Sequence, residues 1–303
     1  MFAIRQPSRS ARLDAMTDAN SELERLRGWI GRSESRTETL SPEPVIGLAA
    51  TFDLDPEAVA AGPLPPLWHW LYFLPRAPQR ELGRDGHPSL GGFFPPVPLP
   101  RRMWAGSELS FSHPLHIGDT VTRTSTIKDV QYKTGRTGEL WFVAVDHELT
   151  VNGKTAVNER HDIVYRAMPD PSKPQPPRPR LEHEPTWQRT LRADPAMLFR
   201  YSALTFNGHR IHYDREYTRN VEGYPGLVVH GPMQAMLMLD LVARELPQTR
   251  VRRFGFRGLA PLFDQDTVTV GGTVDPAQPG RLLLWTGDDA GGQAMQGWAE
   301  VEG

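Results

Sequence analysis

The apolar positions of the chain fall into one long unbroken run and many short ones separated by turn residues. The long run is Met233–Leu246, MQAMLMLDLVAREL, apolar on nearly every side except at Gln234 and Asp240. Such a run reads as a buried helix, because a surface helix would show a polar face. Pro232 suits its first turn, where a missing N–H costs nothing, so the helix is expected to begin near His230 and Gly231 and to stop at Pro247. The short runs that follow, VRRFGFRGLAPLFDQDTVTVGGTV, RLLLWTGD and AMQGWAEVE, are broken by Gly, Pro and Asp as antiparallel strands are.

The first part of the chain shows the same vocabulary. Residues 17–32 predict a capped amphipathic helix with Leu23, Leu26, Trp29 and Ile30 on one side. A loop through SRTETLSPEPVIGLAATFD, a short helix at PEAVAAG and an aromatic helical segment at LPPLWHWLYFLP are expected next. Residues 76–100 are rich in Gly and Pro and contain GGFFPPVPLP, which predicts a long ordered loop or a mobile lid. Four strand-like runs, GSELSFSHPL, GDTVTRTSTIKDVQYKTG, GELWFVAVDHELTVNG and TAVNERHDIVYR, then form a meander, with turns at KTGRTG and VNGK.

Seven prolines between Pro169 and Pro185 mark an extended connector, after which a new helix, DPAMLFRYSALT, is expected. The two sides of this connector share a signature. Pro114-Leu115-x-x-x-Asp119-Thr120-Val121-Thr122 recurs 147 positions later as Pro261-Leu262-x-x-x-Asp266-Thr267-Val268-Thr269, preceded in each copy by an aromatic and glycine segment, RRMWAGSEL or RRFGFRGL. An internal duplication follows, each half a helix wrapped by an antiparallel sheet.

Composition narrows the function classes. With 303 residues, 34 basic, 36 acidic and a net charge of −2, there is no electrostatic case for nucleic acid or an anionic membrane as partner. The absence of Cys excludes disulfides, thiolate metal sites and cysteine nucleophiles. No apolar run approaches the roughly 20 residues that span a bilayer. MFAIRQPSRSARLDA, at the start, has a slight likeness to a mitochondrial presequence; a disordered start, or Met16 as the true beginning, is the plainer account.

Candidate chemistry gathers beside the long helix. Three of the ten histidines, His209, His212 and His230, fall within Tyr201–Asp240, and the free N–H groups of the helix start point back at them. The run FNGHRIHYD, the turn-rich EGYPG and then His230-Gly231 resemble the MaoC-like branch of the hotdog fold, hydratases and dehydratases of acyl thioesters. The likeness is greatest to mesaconyl-C4-CoA and itaconyl-CoA hydratases and fungal-type 3-hydroxyacyl-thioester dehydratases. That resemblance implies an α+β double hotdog: a degenerate first unit over 17–168, a Pro-rich linker over 169–186, and a second unit over 187–303 carrying the site. It also implies roles. His212 falls at the family's catalytic histidine and Gly231 at the glycine whose N–H binds the thioester oxygen. Asn207 stands where the family has its catalytic aspartate, and an amide cannot take a proton; Asn207 is a candidate to orient water or the imidazole, and His209 is a candidate replacement acid or a structural histidine.

Hydration of an enoyl thioester needs a base for water, a proton donor for Cα and stabilisation of an enolate-like oxygen. A histidine titrating near neutrality and a helix start supply the first and the last. Tyr213 and His230 are candidate substrate contacts, His230 also serving the helix start. Arg210, Arg257, Arg215, Arg252 and Arg253 are candidates for CoA phosphates or a substrate carboxylate, or simply solvated charges. Asp214 is expected to cap the helix DREYTRN. His209-x-x-His212 lacks a recognised third ligand, so no metal is expected, and no cofactor beyond the CoA of the substrate.

The expected activity is hydration of a branched C4 dicarboxylyl-CoA. Alternatives are a 3-hydroxyacyl-thioester dehydratase of fatty-acid metabolism, a thioesterase, or a non-catalytic acyl-CoA-binding protein, the last made more credible by Asn207. The expected setting is the cytoplasm, or the mitochondrial matrix in a eukaryote, and the exposed sheet edges leave room for a homodimer.

Overall fold

The computed structural model describes residues 19–89, 91–135, 138–168 and 176–303. The presequence-like start and three of the seven prolines of the connector lie outside the described residues.

Ten strands form one antiparallel sheet in the order β1-β3-β4-β5-β2-β7-β10-β9-β8-β6. The first five are β1 (Ser33–Thr39), β2 (Arg101–Phe111), β3 (Thr120–Gly135), β4 (Gly138–Val151) and β5 (Lys154–Arg166). The second five are β6 (Trp187–Arg192), β7 (Arg250–Gly258), β8 (Thr267–Val274), β9 (Arg281–Asp288) and β10 (Gln293–Glu302). The order in the second group is the mirror of that in the first, and the two meet at β2 and β7. There Glu108 pairs with Gly255, residues separated by the same 147 positions as the two copies of the signature. A glycine is needed at this seam: a Cβ on Gly106 would stand 2.4 Å from the Phe256 carbonyl oxygen.

The long helix, α5 (Gly231–Glu245), is buried along most of its length against the second group of strands. Its two polar interruptions are both satisfied. Gln234 accepts from Thr286 Oγ1 at 2.6 Å, and Asp240 pairs with Arg189 and with Arg244 at 2.9 Å. The first group has no helix of that length among the described residues, which corrects the expectation of two central helices. In its place stand α1 (Pro42–Thr51), α2 (Pro56–Ala61) and a single 3-10 turn, Trp68–Leu71, whose aromatic residues enter a core shared by both groups.

Two further expectations change. The loop expected after residue 32 contains β1 and α1, and β6 precedes the helix expected at the start of the second half. β1 reads SESRTET, with no apolar residue to announce a strand. It is held by a ladder of hydroxyls across to β3, Ser35 to Thr124 at 2.8 Å, Thr37 to Thr122 at 2.9 Å and Thr39 to Thr120 at 3.1 Å. The N-terminal helix covers residues 19–27 and buries Leu26, but Ile30 lies beyond it and is exposed. The described part of the connector is tied down: Arg178 donates to the Pro261 carbonyl at 2.9 Å and pairs with Asp266 and Asp288. No helix of the described residues is long and apolar enough to cross a membrane.

Candidate active site

The polar run is positioned by two capped helices. Asp194 caps α3 (Pro195–Leu204), and Phe206, at φ 48°, breaks away from the end of that helix. Asn207 Oδ1 then accepts the His209 N–H at 3.0 Å, closing a side-chain turn that leads into the 3-10 turn Arg210–His212. Asp214 caps α4 (Arg215–Asn220) through the Tyr217 N–H at 3.0 Å.

His212 is buried, and its Nδ1 lies 2.7 Å from the Val228 carbonyl oxygen. A carbonyl only accepts, so Nδ1 carries the proton and Nε2 keeps its lone pair. His230 stacks on this ring at 3.6 Å between centroids, 18° from parallel, and its own Nε2 meets Ser202 Oγ at 2.8 Å. Burial, with a smaller contribution from His87 and against the Val228 hydrogen bond, lowers His212 to about 4. Burial also holds His230 well below the ordinary histidine range, and burial and then His87 do the same for His209. These three rings are therefore neutral at neutral pH.

The stretch 76–100, expected as a loop or lid, lies across the motif as a strap. Arg210 N–H donates to the Asp85 carbonyl at 2.8 Å, and its guanidinium donates to the Arg84 carbonyl at 3.0 Å. Gly86, at φ 87°, approaches so closely that a Cβ would stand 1.9 Å from the Gly208 carbonyl oxygen. The strap delivers two groups that the sequence reading missed. Asp85 Oδ2 sits 2.9 Å from His87 Nδ1, and the His87 ring lies 4.0 Å from that of His209. Burial would raise the Asp85 carboxyl, but its hydrogen bonds and charge pairing with His87 outweigh it and hold the group below the usual range. The pair was readable as D-x-H within RDGHPS, yet nothing local connects it to a motif more than a hundred residues away.

Asp85, His87 and His209 also have ligating atoms within 4.8 Å of one another, a grouping that takes His209 with the strap and does not include His212. Their spacing is accounted for by the Asp85–His87 hydrogen bond.

A cavity of about 1170 Å³ opens between the two groups of strands. Asn207, Arg210, Tyr213 and Pro232 line it from one side, and His87, Trp70 and Arg123 from the other. His209, His212, His230 and Gly231 are not among the lining residues; His212 and His230 are buried, and His209 and Gly231 are partly exposed. His230, expected to touch substrate, is 1% exposed and supports His212 instead. Arg210 is bound to Asp214 at 2.7 Å and lies over the Tyr217 ring, and Arg215 pairs with Asp264. Arg252 and Arg253 pair with Glu302 and with Glu108 and Glu300. Arg257 is exposed and lines a different depression, so it does not join the site. Its neighbours explain this: Phe254 and Phe256 of β7 point into the core, and alternation sends Arg257 to the opposite face.

A family model described as Hydroxyacyl-thioester dehydratase type 2 matches residues 67–264, from the aromatic turn through the strap to the end of the motif region. The chain is 48% identical over 240 residues to the mesaconyl-C(4)-CoA hydratase of Chloroflexus aurantiacus, covering 78% of this chain and 84% of that one. It is 30% identical over 225 residues to the mitochondrial Hydroxyacyl-thioester dehydratase type 2 of Schizosaccharomyces pombe, covering 66% and 74%. Among solved structures, HtdX of Mycobacterium tuberculosis superposes with a TM-score of 0.60 at 17% identity, covering 88% of this chain and 99% of that one. A double-hotdog protein of the same organism gives 0.55 at 14% identity, covering 90% and 96%. The ten-stranded sheet is thus a double hotdog, and with 198 consecutive positions matched the chain belongs to the type 2 hydroxyacyl-thioester dehydratase family.

Proposed function

We propose that the protein adds water reversibly across the double bond of an enoyl-CoA whose acyl group is a branched C4 diacid, as in mesaconyl-C4-CoA. The observation that carries this is the His212–Val228 hydrogen bond, which fixes a neutral imidazole with Nε2 free to accept a proton. Identity of 48% to a mesaconyl-C4-CoA hydratase supports the acyl group. His212 takes a proton from water, and the hydroxyl oxygen bonds to Cβ. The π pair moves onto the thioester oxygen, held by the Gly231 N–H and the positive end of α5, and then returns to form the bond from Cα to a proton.

Gly231 suits that place. A Cβ there would meet only Met295 Cε at 3.7 Å, so packing within the protein does not demand glycine and the space before the helix is left for a ligand. Asn207 spends its Oδ1 on the His209 N–H and has its amide N–H groups left to orient water. Burial makes His209 a poor proton carrier, so the role expected for it passes to His87, hydrogen-bonded to Asp85. Tyr213 and Arg210 shape the mouth of the cavity. CoA arrives with the substrate, and the chemistry calls on no other cofactor. Dehydration of a 3-hydroxyacyl thioester, the activity in the name of the family, runs through the same transition state in reverse. The setting proposed for this reaction is the cytoplasm, and the edge strands β1 and β6 are where a second copy would add.

The test is the change in enoyl-thioester absorbance with mesaconyl-C4-, itaconyl- and crotonyl-CoA, using wild type, His212→Ala and His87→Ala. Wild-type turnover is expected to fall at least about 1000-fold in His212→Ala and about 100-fold in His87→Ala. Full activity in His212→Ala would remove the mechanism, and full activity in His87→Ala would return the acid role to another group.

A further inference from the structure

The concave face of the first five strands departs from the rule that such a face is apolar. At one end stand Val121, Leu149 and Val157, at the other Ile127, Val145 and Ile163, all buried. Between them runs a polar band across three neighbouring strands: Arg123 and Ser125 on β3, His147 on β4, Glu159 and His161 on β5. This is where the absent central helix would have lain, and the band faces the cavity instead.

Most of the band is internally satisfied. Glu159, 4% exposed, accepts from His69 Nε2 and Trp70 Nε1, each at 2.9 Å, and from His161. His147 Nδ1 meets Ser125 Oγ at 2.8 Å. The exception is Arg123. Its Nε is sealed from solvent without a hydrogen-bond partner, and its guanidinium forms no ion pair among the described residues. The guanidinium rests over the Phe73 ring at 5.1 Å. Directly opposite it in register on β1 is Arg36, a second cation, which leans on Glu34 at 3.7 Å. A half-buried arginine without an ion-pair partner, facing another arginine, is a costly arrangement unless an anion meets the part of its guanidinium that lines the cavity.

We propose that Arg123 and the polar band around it are a binding site for a carboxylate carried by the acyl group of the substrate. A planar guanidinium placed over an aromatic ring can present two parallel N–H groups, the geometry that a carboxylate takes bidentately. An unsubstituted fatty chain placed on the same floor would leave Arg123 without an anionic partner. The site therefore selects acyl groups with a second acid function and disfavours plain alkyl ones. This rests on the acyl-thioester reading above for what enters the cavity, and binding separates the two claims because it needs no turnover.

Calorimetric affinities of wild type and Arg123→Gln for succinyl-CoA, which has a free carboxylate, and butyryl-CoA, which has none, test it. Wild type is expected to bind succinyl-CoA at least about tenfold more tightly than butyryl-CoA. Arg123→Gln is expected to weaken succinyl-CoA about 30-fold or more and to change butyryl-CoA less than about threefold. Equal losses on both ligands, or no loss on either, would overturn the site. Should Arg123→Gln fail to fold, equal affinity of wild type for the two ligands overturns it by itself. Hydration assays that fail on every enoyl-CoA while the succinyl-CoA preference holds would remove the enzymatic reading and leave the carboxylate site standing.

Discussion

His212, His230, His209 and His147 are four imidazoles placed where burial disfavours the charged form, and all four are pushed down, His212 to about 4 and His147 to about 2. An unfolded histidine titrates near 6.5. The folded values are the lower ones, so the unfolded chain binds more protons between them. The stabilisation from keeping these rings neutral is fully present above about 6.5 and is lost as pH falls toward 4. Each such group contributes a slope of about 1.4 kcal/mol per pH unit in that window. Denaturant unfolding at pH 6 and pH 5 is expected to show an uptake of at least two protons; a slope of one proton or fewer would mean that the rings are not held neutral. At this scale the motif made His212 and Asn207 legible. It did not show that His230 is sealed behind His212, or that Arg257 faces away, because those depend on which side of a strand or ring the neighbours occupy.

At the scale of elements, α5 was the clearest feature of the sequence, since its apolar run, Pro232 and Pro247 all indicated the same boundaries. Its N-terminus is also the element with the most direct functional test. Gly231→Ala adds a methyl with 3.7 Å of clearance inside the protein and replaces glycine by a better helix former, so melting is expected to be unchanged or to rise. Under the proposed mechanism the same methyl intrudes on the thioester oxygen, and kcat/KM is expected to fall about 100-fold. A variant that keeps full activity would move the oxygen-binding site elsewhere. β1 and β6 were illegible for a different reason. Edge strands bury little, and SESRTET becomes a strand through its hydroxyl ladder to β3, a partner more than eighty residues away.

For the whole molecule, the strap is the piece that joins the halves at the site. It belongs to the first half by sequence and lies on the motif of the second, with Gly86 seated against Gly208. Gly86→Ala puts a Cβ where the backbone carbonyl already is and demands a positive φ, a strain of about 1–3 kcal/mol. The strap is expected to lift. Protease cleavage within residues 76–100 should quicken, and kcat/KM should fall at least about tenfold as His87 leaves the site. Unaltered proteolysis and activity together would show that the strap is not needed there.

By itself the sequence determined the strand-and-helix class of fold, the duplication and the histidine-bearing motif, since these are written in local periodicity, in a repeat of fixed spacing and in contiguous residues. The missing helix of the first half, the polar floor left in its place, and the arrival of Asp85 and His87 beside His209 were decided only in three dimensions. The physical reason is common to all three. Periodicity says that a residue faces inward but not what it meets there, and a turn without a helical period gives no sign that it fills a core. In this chain the partners that satisfy or orphan a buried group are brought in from strands and loops far away in sequence.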